Sequence, residues 1–382
     1  MSYETVHLNS ALTVEATRFQ ECVRIFQKSQ FSVLASLAVL NATQNIVFMF
    51  GTVLVVFLSS YQISIGLQQV ATFVSLLAYF AQLQAPLAFF GSIYNQVQNN
   101  LIDAERMLEL FNHQPDVVDS PHARPLENCI GRVTFSNVCF AYRGRTPALS
   151  NISFSAEPGS TTALVGESGS GKSTCFRLLF RFYDVDTGYI SVDDVGIRDF
   201  TVASLRSHIA VVPQDTVLFN ASLMHNLQYA KPNATREEID KACRVASIHD
   251  RILDLPEGYE TSVGERGLRL SGGEKQRIAL ARAILKEPRI MLFDEATASL
   301  DSHTEKQIQD ALESVAAGRT IISIAHRLST VTNADQILVF HEGRIVERGK
   351  HSTLLALGGR YKELWDKQTN AEGRGEGGEA RE

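Results

Sequence analysis

From Ser29 to Ile102 the chain contains no Asp, Glu, Lys or Arg, although charged residues make up 20% of the whole. At that average, a tract of 74 residues would carry about 15 charges. A charge at mid-bilayer costs roughly 2.5 to 3.5 kcal/mol on insertion scales, so a long charge-free apolar tract is what lipid selects. A helical pair buried in a soluble protein would normally keep a charged outer face, and none is present. The five cysteines, Cys22, Cys129, Cys139, Cys175 and Cys243, have no paired spacing. Disulfide and metal frameworks are therefore not expected, and a reducing compartment fits better. There is no basic block and the net charge is −6, which argues against nucleic acid as a partner. Residues 1 to 30 lack a compact apolar core, so no cleavable leader is expected.

Two apolar runs fill the charge-free tract, about 33–58 and 65–90, joined by the polar SSYQIS. Each exceeds the roughly 20 residues that cross a hydrocarbon core of about 30 Å. The pattern predicts an α-helical transmembrane hairpin whose two ends emerge on one side. LIDAERMLELF, residues 101 to 111, is amphipathic and continues out of the membrane as a helix. Residues 113–130 form a linker with Pro115, Pro121 and Pro125. From Gly131 the pattern changes. RVTFSNVCFAY, TTALVG, GYISVDD, IAVVPQ, RIMLFDE and TIISIA read as strands. GKSTCFRLLFRF, REEIDKACRVASI and SGGEKQRIALARAIL read as helices, and QILVFHEGRIVERG as a hairpin. This alternation predicts an α/β domain from Gly131, with a mainly parallel sheet that gathers ligands at the carboxyl ends of its strands. The Gly-rich, charged segment 368–382 is expected to be a disordered tail.

GESGSGKS, Gly166 to Ser173, fits G-x-x-x-x-G-K-[ST] and stands between a predicted strand and an apolar helix. Glycines let successive N–H groups of Gly166, Glu167, Ser168, Gly169, Ser170 and Gly171 curl toward phosphate oxygens, and the helix start at Lys172, Ser173 and Thr174 adds partial positive charge. Lys172 would reach the β and γ phosphates, and the Ser173 hydroxyl would hold Mg²⁺. IMLFDE ends a strand on two carboxylates: Asp294 suits a Mg²⁺ shell and Glu295 could polarise an attacking water. Alone, such a pair is more often a helix cap or a solvated turn; the upstream phosphate loop reverses that. A second glycine-bearing helix start, LSGGEKQ at 270–276, has no lysine placed, as Lys172 is, to hold a nucleotide.

That second stretch carries a resemblance. LSGGEKQ resembles the signature motif of the ATP-binding cassette (ABC) transporters, and other landmarks of that family follow in order: Tyr142 in CFAYRG, Gln214 in VVPQDT, Asp301 in ASLD and His326 in IAHRL. VGERG, 263 to 267, resembles the segment that exporters set beside their membrane-domain loops. The resemblance covers Gly131 to about Lys367 and implies an α/β P-loop NTPase domain of the ABC ATPase type, the nucleotide-binding domain, over 131–367. It implies ATP with Mg²⁺ as ligand, Tyr142 stacking the adenine, and Ser173, Gln214 and Asp294 around the metal. It further implies that Gln214, Glu295 and His326 serve hydrolysis, with His326 at the γ-phosphate. In this family two chains face each other, so Ser271, Gly272 and Gly273 of one chain, with Asp301 near the contact, close on the nucleotide held by Lys172 of the other. Ser271 would cap its helix, while Gly272 and Gly273 would admit close backbone approach.

RFYD, LRSHIAVVPQDTVLFN, LPEGYETSVGERGLRLSGGEKQR and LSTVTNADQILVFHEGRIVERGKH resemble B-subfamily half exporters of the heavy-metal-tolerance and mitochondrial type, as do YETV and LNATQN. This implies an integral multi-pass protein of a vacuolar or mitochondrial membrane, with residues 1–112 as part of its membrane domain and the nucleotide domain on the cytosolic or matrix side. It also implies a homodimer, or a dimer with a related half transporter, moving a small-molecule cargo of thiol, glutathione or metal type. Six membrane helices per half are typical there, so about four are expected beyond the two found here. Asn41, Gln44 and Asn45 share one helical face and are substrate-contact candidates, interhelical hydrogen bonding being the equal alternative. Ala88 and Asn95 replace the Asn and Arg that relatives place in P-L-N-x-x-G and Y-R, which leaves a glutathione-type cargo open. ASLD stands for the usual S-A-L-D. A membrane-tethered ATP-binding regulator that pairs with a full-length relative fits the same residues. A soluble cassette ATPase does not fit the charge-free tract.

Overall fold

The computed structural model describes residues 3–112, 115–143, 146–264, 270–294, 316, 318–325 and 327–376. The chain divides into two compact units, 1–114 and 115–382.

The first unit is helical: α1 Tyr3–Leu8, α2 Leu12–Ser64 and α3 Val70–Asn112. SSYQIS, expected to be the turn of the hairpin, is instead the end of α2, and the chain reverses over 65–69 with Gly66 at φ +74°. SSYQIS contains neither Gly nor Pro and nothing in it interrupts the hydrogen-bond ladder, whereas Gly66 enters the left-handed region without a Cβ clash. Helix α2 outruns the expected 33–58 at both ends, and α3, which starts at Val70 and not at 65, runs well past 90, because an established helix gains a hydrogen bond with each residue added. LIDAERMLELF is accordingly the end of α3 itself. Helices α2 and α3 pack through Phe48 stacked on Phe80 at 4.7 Å, where a Cβ on Gly51 would come within 2.9 Å of the Phe80 ring. Among the described residues α2 is the one helix long and apolar enough to cross a membrane, with a shorter apolar stretch at Val70–Leu83. Phe50 and Phe57 are 71% and 72% exposed, an apolar surface that needs lipid or further helices around it.

Among the described residues the second unit holds two sheets. The first is antiparallel, in the order β2-β1-β4-β5: β1 Val133–Ala141, β2 Pro147–Ala156, β4 Thr187–Val192 and β5 Val195–Gly196. The alternation in PALSNISFSA, absent from the expected strands, is what makes β2. The second sheet runs β10-β9-β3-β8-β7-β6, with β3 Thr161–Gly166, β6 Ile209–Val212, β7 Ile290–Asp294, β8 Thr320–Ile324, β9 Gln336–His341 and β10 Arg344–Gly349. Its pairings are parallel except for the β9–β10 hairpin. Strands β3 and β7 are buried on both faces, which is why TTALVG and IMLFD read as continuous apolar runs. Among the described residues the unit's α-helices are α4 Lys172–Leu179, α5 Val202–Ser207, α6 Leu223–Gln228, α7 Arg236–Val245, α8 His249–Leu253, α9 Gly272–Leu285, α10 His351–Leu357 and α11 Arg360–Glu376.

Two expectations change, for α4 and for the tail, and the linker is given its place. Helix α4 stops at Leu179 instead of running through RF, because Arg181 turns to φ +54° and buries its guanidinium against the Phe200 and Val118 carbonyls, Asp119 and Asp184. The proline-bearing linker is docked along the second unit: Asp119 accepts from Val202 N–H, Arg124 N–H donates to the Asp199 carbonyl, and Leu126 N–H donates to Ser204 Oγ. The tail expected to be disordered from residue 368 is helical as far as Glu376, since α11 is nucleated by residues packed on the core and then propagates; residues 377–382 lie outside the described ones.

The Asp193 carboxylate pins the end of the linker, accepting from the N–H groups of Ile130 (2.8 Å), Gly131 (3.0 Å) and Arg132 (2.8 Å). Asp193→Ala is expected to lower stability by about 2 kcal/mol and Asp193→Asn by less, because the amide oxygen still accepts. A denaturant midpoint series checks this, with the slope of the transition unchanged.

Candidate functional site

Strand β3 delivers the chain into the segment Gly166–Thr174, which is shaped by close backbone contact. A Cβ on Gly166 (φ +148°) would sit 2.3 Å from the Phe340 carbonyl oxygen of β9, and one on Gly171 (φ +104°) would sit 2.7 Å from the Ala148 carbonyl oxygen of β2. Neither position accepts a side chain. Gly169 (φ +81°) faces open space, so the outer side of the loop is free for a ligand to approach. Lys172 is buried and its Nζ donates to the carbonyls of Gly166 and Glu167, both at 2.8 Å, and to Ser170 Oγ at 3.3 Å. Ser170 in turn accepts from Gly343 N–H through its carbonyl. The first N–H groups of a helix lack intrahelical acceptors. Here those of α4 stand beside an ammonium, while the Glu167 carboxylate is turned away onto Arg360 at 3.4 Å. This donor-rich, acid-free set fits a multiply charged anion such as a nucleotide phosphate.

Tyr142, just beyond β1, stands beside this loop. Its hydroxyl is 3.3 Å from Thr174 Oγ1 and accepts from Arg177 Nη1 at 3.3 Å, and its ring meets Phe140 and Tyr183 edge-on. The edge contacts fix the ring while leaving it half exposed, a geometry suited to stacking. The carboxyl edge of the parallel sheet brings the other expected residues to the same side. Gln214 lies two residues past β6 and is exposed, and Asp294 is the last residue of β7. Strand β8 alone separates β7 from β3, two strand spacings or about 10 Å. Glu295, Asp301 and His326 lie outside the described residues, as do 265–267 of VGERG.

Ser271 is the N-cap of α9, and Gly272 and Gly273 are its first residues. Its hydroxyl accepts from Glu274 N–H and its own N–H donates to Glu274 Oε2 at 2.8 Å, a reciprocal capping box. Arg251 Nε clamps the other carboxylate oxygen at 2.6 Å. Burial works to raise the Glu274 pKa, but Arg251 and the Ser271 bonds outweigh it and hold the carboxyl below its usual range. The hydrogen bonds of Ser271 are thus made within its own helix start and not to the phosphate loop of the same chain. On α2, Asn41 is exposed and Gln44 half-buried. Asn45 lines a groove with Phe48, Met49, Thr52, Leu77, Phe80 and Ala81 between α2 and α3. The side chains of Ala88 and Asn95 lie outside those described.

The family profile described as ABC transporter matches residues 149–298, which include the phosphate loop and the start of α9. Over 371 residues the chain is 62% identical to the ABC transporter aclQ of Aspergillus oryzae, covering 97% of this chain and 46% of that protein. It is 53% identical to the heavy metal tolerance protein of Schizosaccharomyces pombe, with 96% and 44% covered. The solved structure of a bacterial Atm1-family ABC exporter with ATP bound superposes at a TM-score of 0.90 and 42% identity, covering 96% of this chain and 65% of that one. The chain belongs to the ABC transporter family, in its B subfamily. It spans about half the length of the curated relatives it matches: human ATP-binding cassette sub-family B member 6, 48% identical, is covered over 44% of its length.

Sequence reasoning about this transporter domain missed Glu274, Arg251 and Arg177. The S-x-x-E spacing of Ser271 and Glu274 was a legible capping signal. Arg251 and Arg177 reach their partners across the fold and had none. A depressed carboxyl pKa contributes stability that is present above the unfolded-state value and lost as pH falls through the folded-state value. Wild type should therefore exceed Glu274→Gln in stability at neutral pH, and the gap should close as pH drops below the ordinary carboxylate range. Denaturant midpoints of the two proteins across that range check this.

Proposed function

We propose that this chain is the ATP-hydrolysing portion of a B-subfamily half exporter, and that it works as a dimer. The observation that carries the proposal is the phosphate loop, with two glycines that no other residue can replace and a buried lysine tied across its carbonyls. The ATP triphosphate would lie on the N–H groups of 166–174 with Lys172 at the β and γ phosphates, and the adenine would stack on Tyr142. Ser173, Gln214 and Asp294 offer the oxygen ligands that Mg²⁺ takes, and the ion, when bound, would offset the charge of the transferring phosphoryl group. Glu295 would accept a proton from the attacking water, with His326 orienting both.

The second glycine-bearing helix start completes the site in trans. The Ser271 oxygen accepts inside its capping box, so its O–H proton remains to be donated, and the N–H groups of Gly272 and Gly273, the first two residues of α9, have no intrahelical acceptor. Set against the γ-phosphate of a facing chain, a homodimer partner or a related half transporter, these donors close the nucleotide between two subunits. Several charge-assisted hydrogen bonds of roughly 1.5 to 3 kcal/mol each exceed the 5.5 kcal/mol or so that moves a two-state element from 1:99 to 99:1. Hydrolysis removes the shared anion and releases the pair. The cargo is proposed to be a small thiol- or metal-related compound, on the likeness to heavy metal tolerance proteins. The Asn41, Gln44 and Asn45 face of α2 is the candidate contact, in a vacuolar or mitochondrial bilayer.

Glu295→Gln is expected to leave ATP binding intact and reduce turnover by about two orders of magnitude. Phosphate release alongside fluorescent-nucleotide binding measures both, and unchanged turnover removes Glu295 from its role. Ser271→Arg should abolish ATP-dependent dimerisation, read by light scattering in detergent, while each chain still binds nucleotide; dimers that persist would defeat the shared-site proposal.

A further inference from the structure

The C-terminal helix α11 is seated on the face of the parallel sheet that also carries the residues around His326. Tyr361 is fully buried, and with Leu364 and Trp365 it packs into one apolar cluster with Ala325, Leu328 and Val331. The start of α11 is fixed by Glu347 of β10, whose carboxylate accepts from the N–H groups of Arg360 and Tyr361; a Cβ on Gly359 would overlap that carboxylate. Arg360 also reaches Glu167 of the phosphate loop, although that pair is half exposed and therefore weak.

Eight residues further along α11, about 12 Å, Gln368 makes a different kind of contact. Its Oε1 accepts from the backbone N–H of Leu328 at 2.8 Å. Leu328 is buried and opens a short 3-10 turn, Leu328–Val331, whose N-cap residue Arg327 supplies no side-chain cap. Gln368 caps that turn from 40 residues away. On the other side of position 326, Ala325 N–H donates to the Leu164 carbonyl of β3 at 3.2 Å, the strand that enters the phosphate loop. The chain is thus tied to β3 just before His326 and to α11 just after it.

We infer that Gln368 is a positioning residue for ATP hydrolysis: by capping the turn at Leu328 from α11, it fixes the backbone that carries His326 toward the γ-phosphate. The inference rests on the role proposed above for His326. In this contact the amide oxygen of Gln368 is the working group, because what it meets is a backbone N–H. Without that acceptor the turn loses its cap while the apolar seat of α11 on Tyr361 and Trp365 is retained. The consequence is therefore a displaced catalytic group and not an unfolded domain.

The test compares Gln368→Met, similar in length but without a comparable acceptor, with Gln368→Glu, which keeps one, in the full chain reconstituted in lipid. Gln368→Met is expected to lower kcat for ATP hydrolysis on the order of 10-fold while KM stays within about twofold. Its thermal midpoint should match wild type, and the Leu328 amide should exchange faster with deuterium. Gln368→Glu is expected to restore both kcat and amide protection. Gln368→Ala, which introduces no new bulk, should behave as the Met variant does. Wild-type kcat in the Met and Ala variants overturns the inference, as does an equal loss in the Glu variant or a change confined to KM. His326→Ala, run in parallel, separates the two claims: full turnover there removes the underlying role of His326. Lost turnover there beside an unaffected Gln368→Met removes only the inference. Amide exchange decides independently of activity, since unchanged Leu328 protection in Gln368→Met also overturns it.

Discussion

The close approach of Gly166 to the Phe340 carbonyl of β9 governs the rest of the nucleotide domain. Strand β3 can turn into the loop only if its last residue lies against its neighbour with no side chain between them. That neighbour is in place because β9 pairs with β3 in parallel from Thr162 to Gly166. The same requirement recurs at Gly171, where the contact is with β2 of the other sheet. The loop is therefore wedged where the two sheets meet, and Lys172 ties its two ends together from within. A backbone held in this way presents its N–H groups without reorganising, which is what an anion site requires.

The two glycine-bearing helix starts, α4 and α9, solve different problems with similar residues. Helix α4 begins at a left-handed glycine with no side-chain cap, and a lysine lies beneath its first turn. Helix α9 begins with a serine cap reinforced by Glu274, which Arg251 grips in turn. The first start holds charge of its own to meet an anion. The second is rigid and locally satisfied, and it has neutral donors left over. That difference is the physical reason for reading the second as a surface that meets a nucleotide already bound elsewhere.

Around this centre the domain is stitched by polar side chains that serve backbone groups far away in sequence. Asp193 holds the linker, Glu347 holds α11, Gln368 holds the turn after His326, and Lys286 donates to the carbonyls of Arg206 and Ile209. Burial and the nearby Arg206 push the Lys286 pKa down, yet two backbone acceptors satisfy its ammonium. Each of these contacts joins segments that the apolar core alone would leave free to slide.

The sequence alone determined whatever depends on residues close together along the chain. The phosphate loop, the strand ending in Asp294, the α/β alternation and the charge-free tract are all local patterns, and their physical causes act over a few residues. The limits of the hairpin helices were not legible, because a helix continues through polar SSYQIS until Gly66 offers a way out. Nor was the docking of the linker, the early end of α4, the clamp of Arg251 on Glu274 or the hold of Gln368 on Leu328. Those depend on where a long side chain finds a partner tens of residues away, and only the packing of the sheets and helices sets that distance.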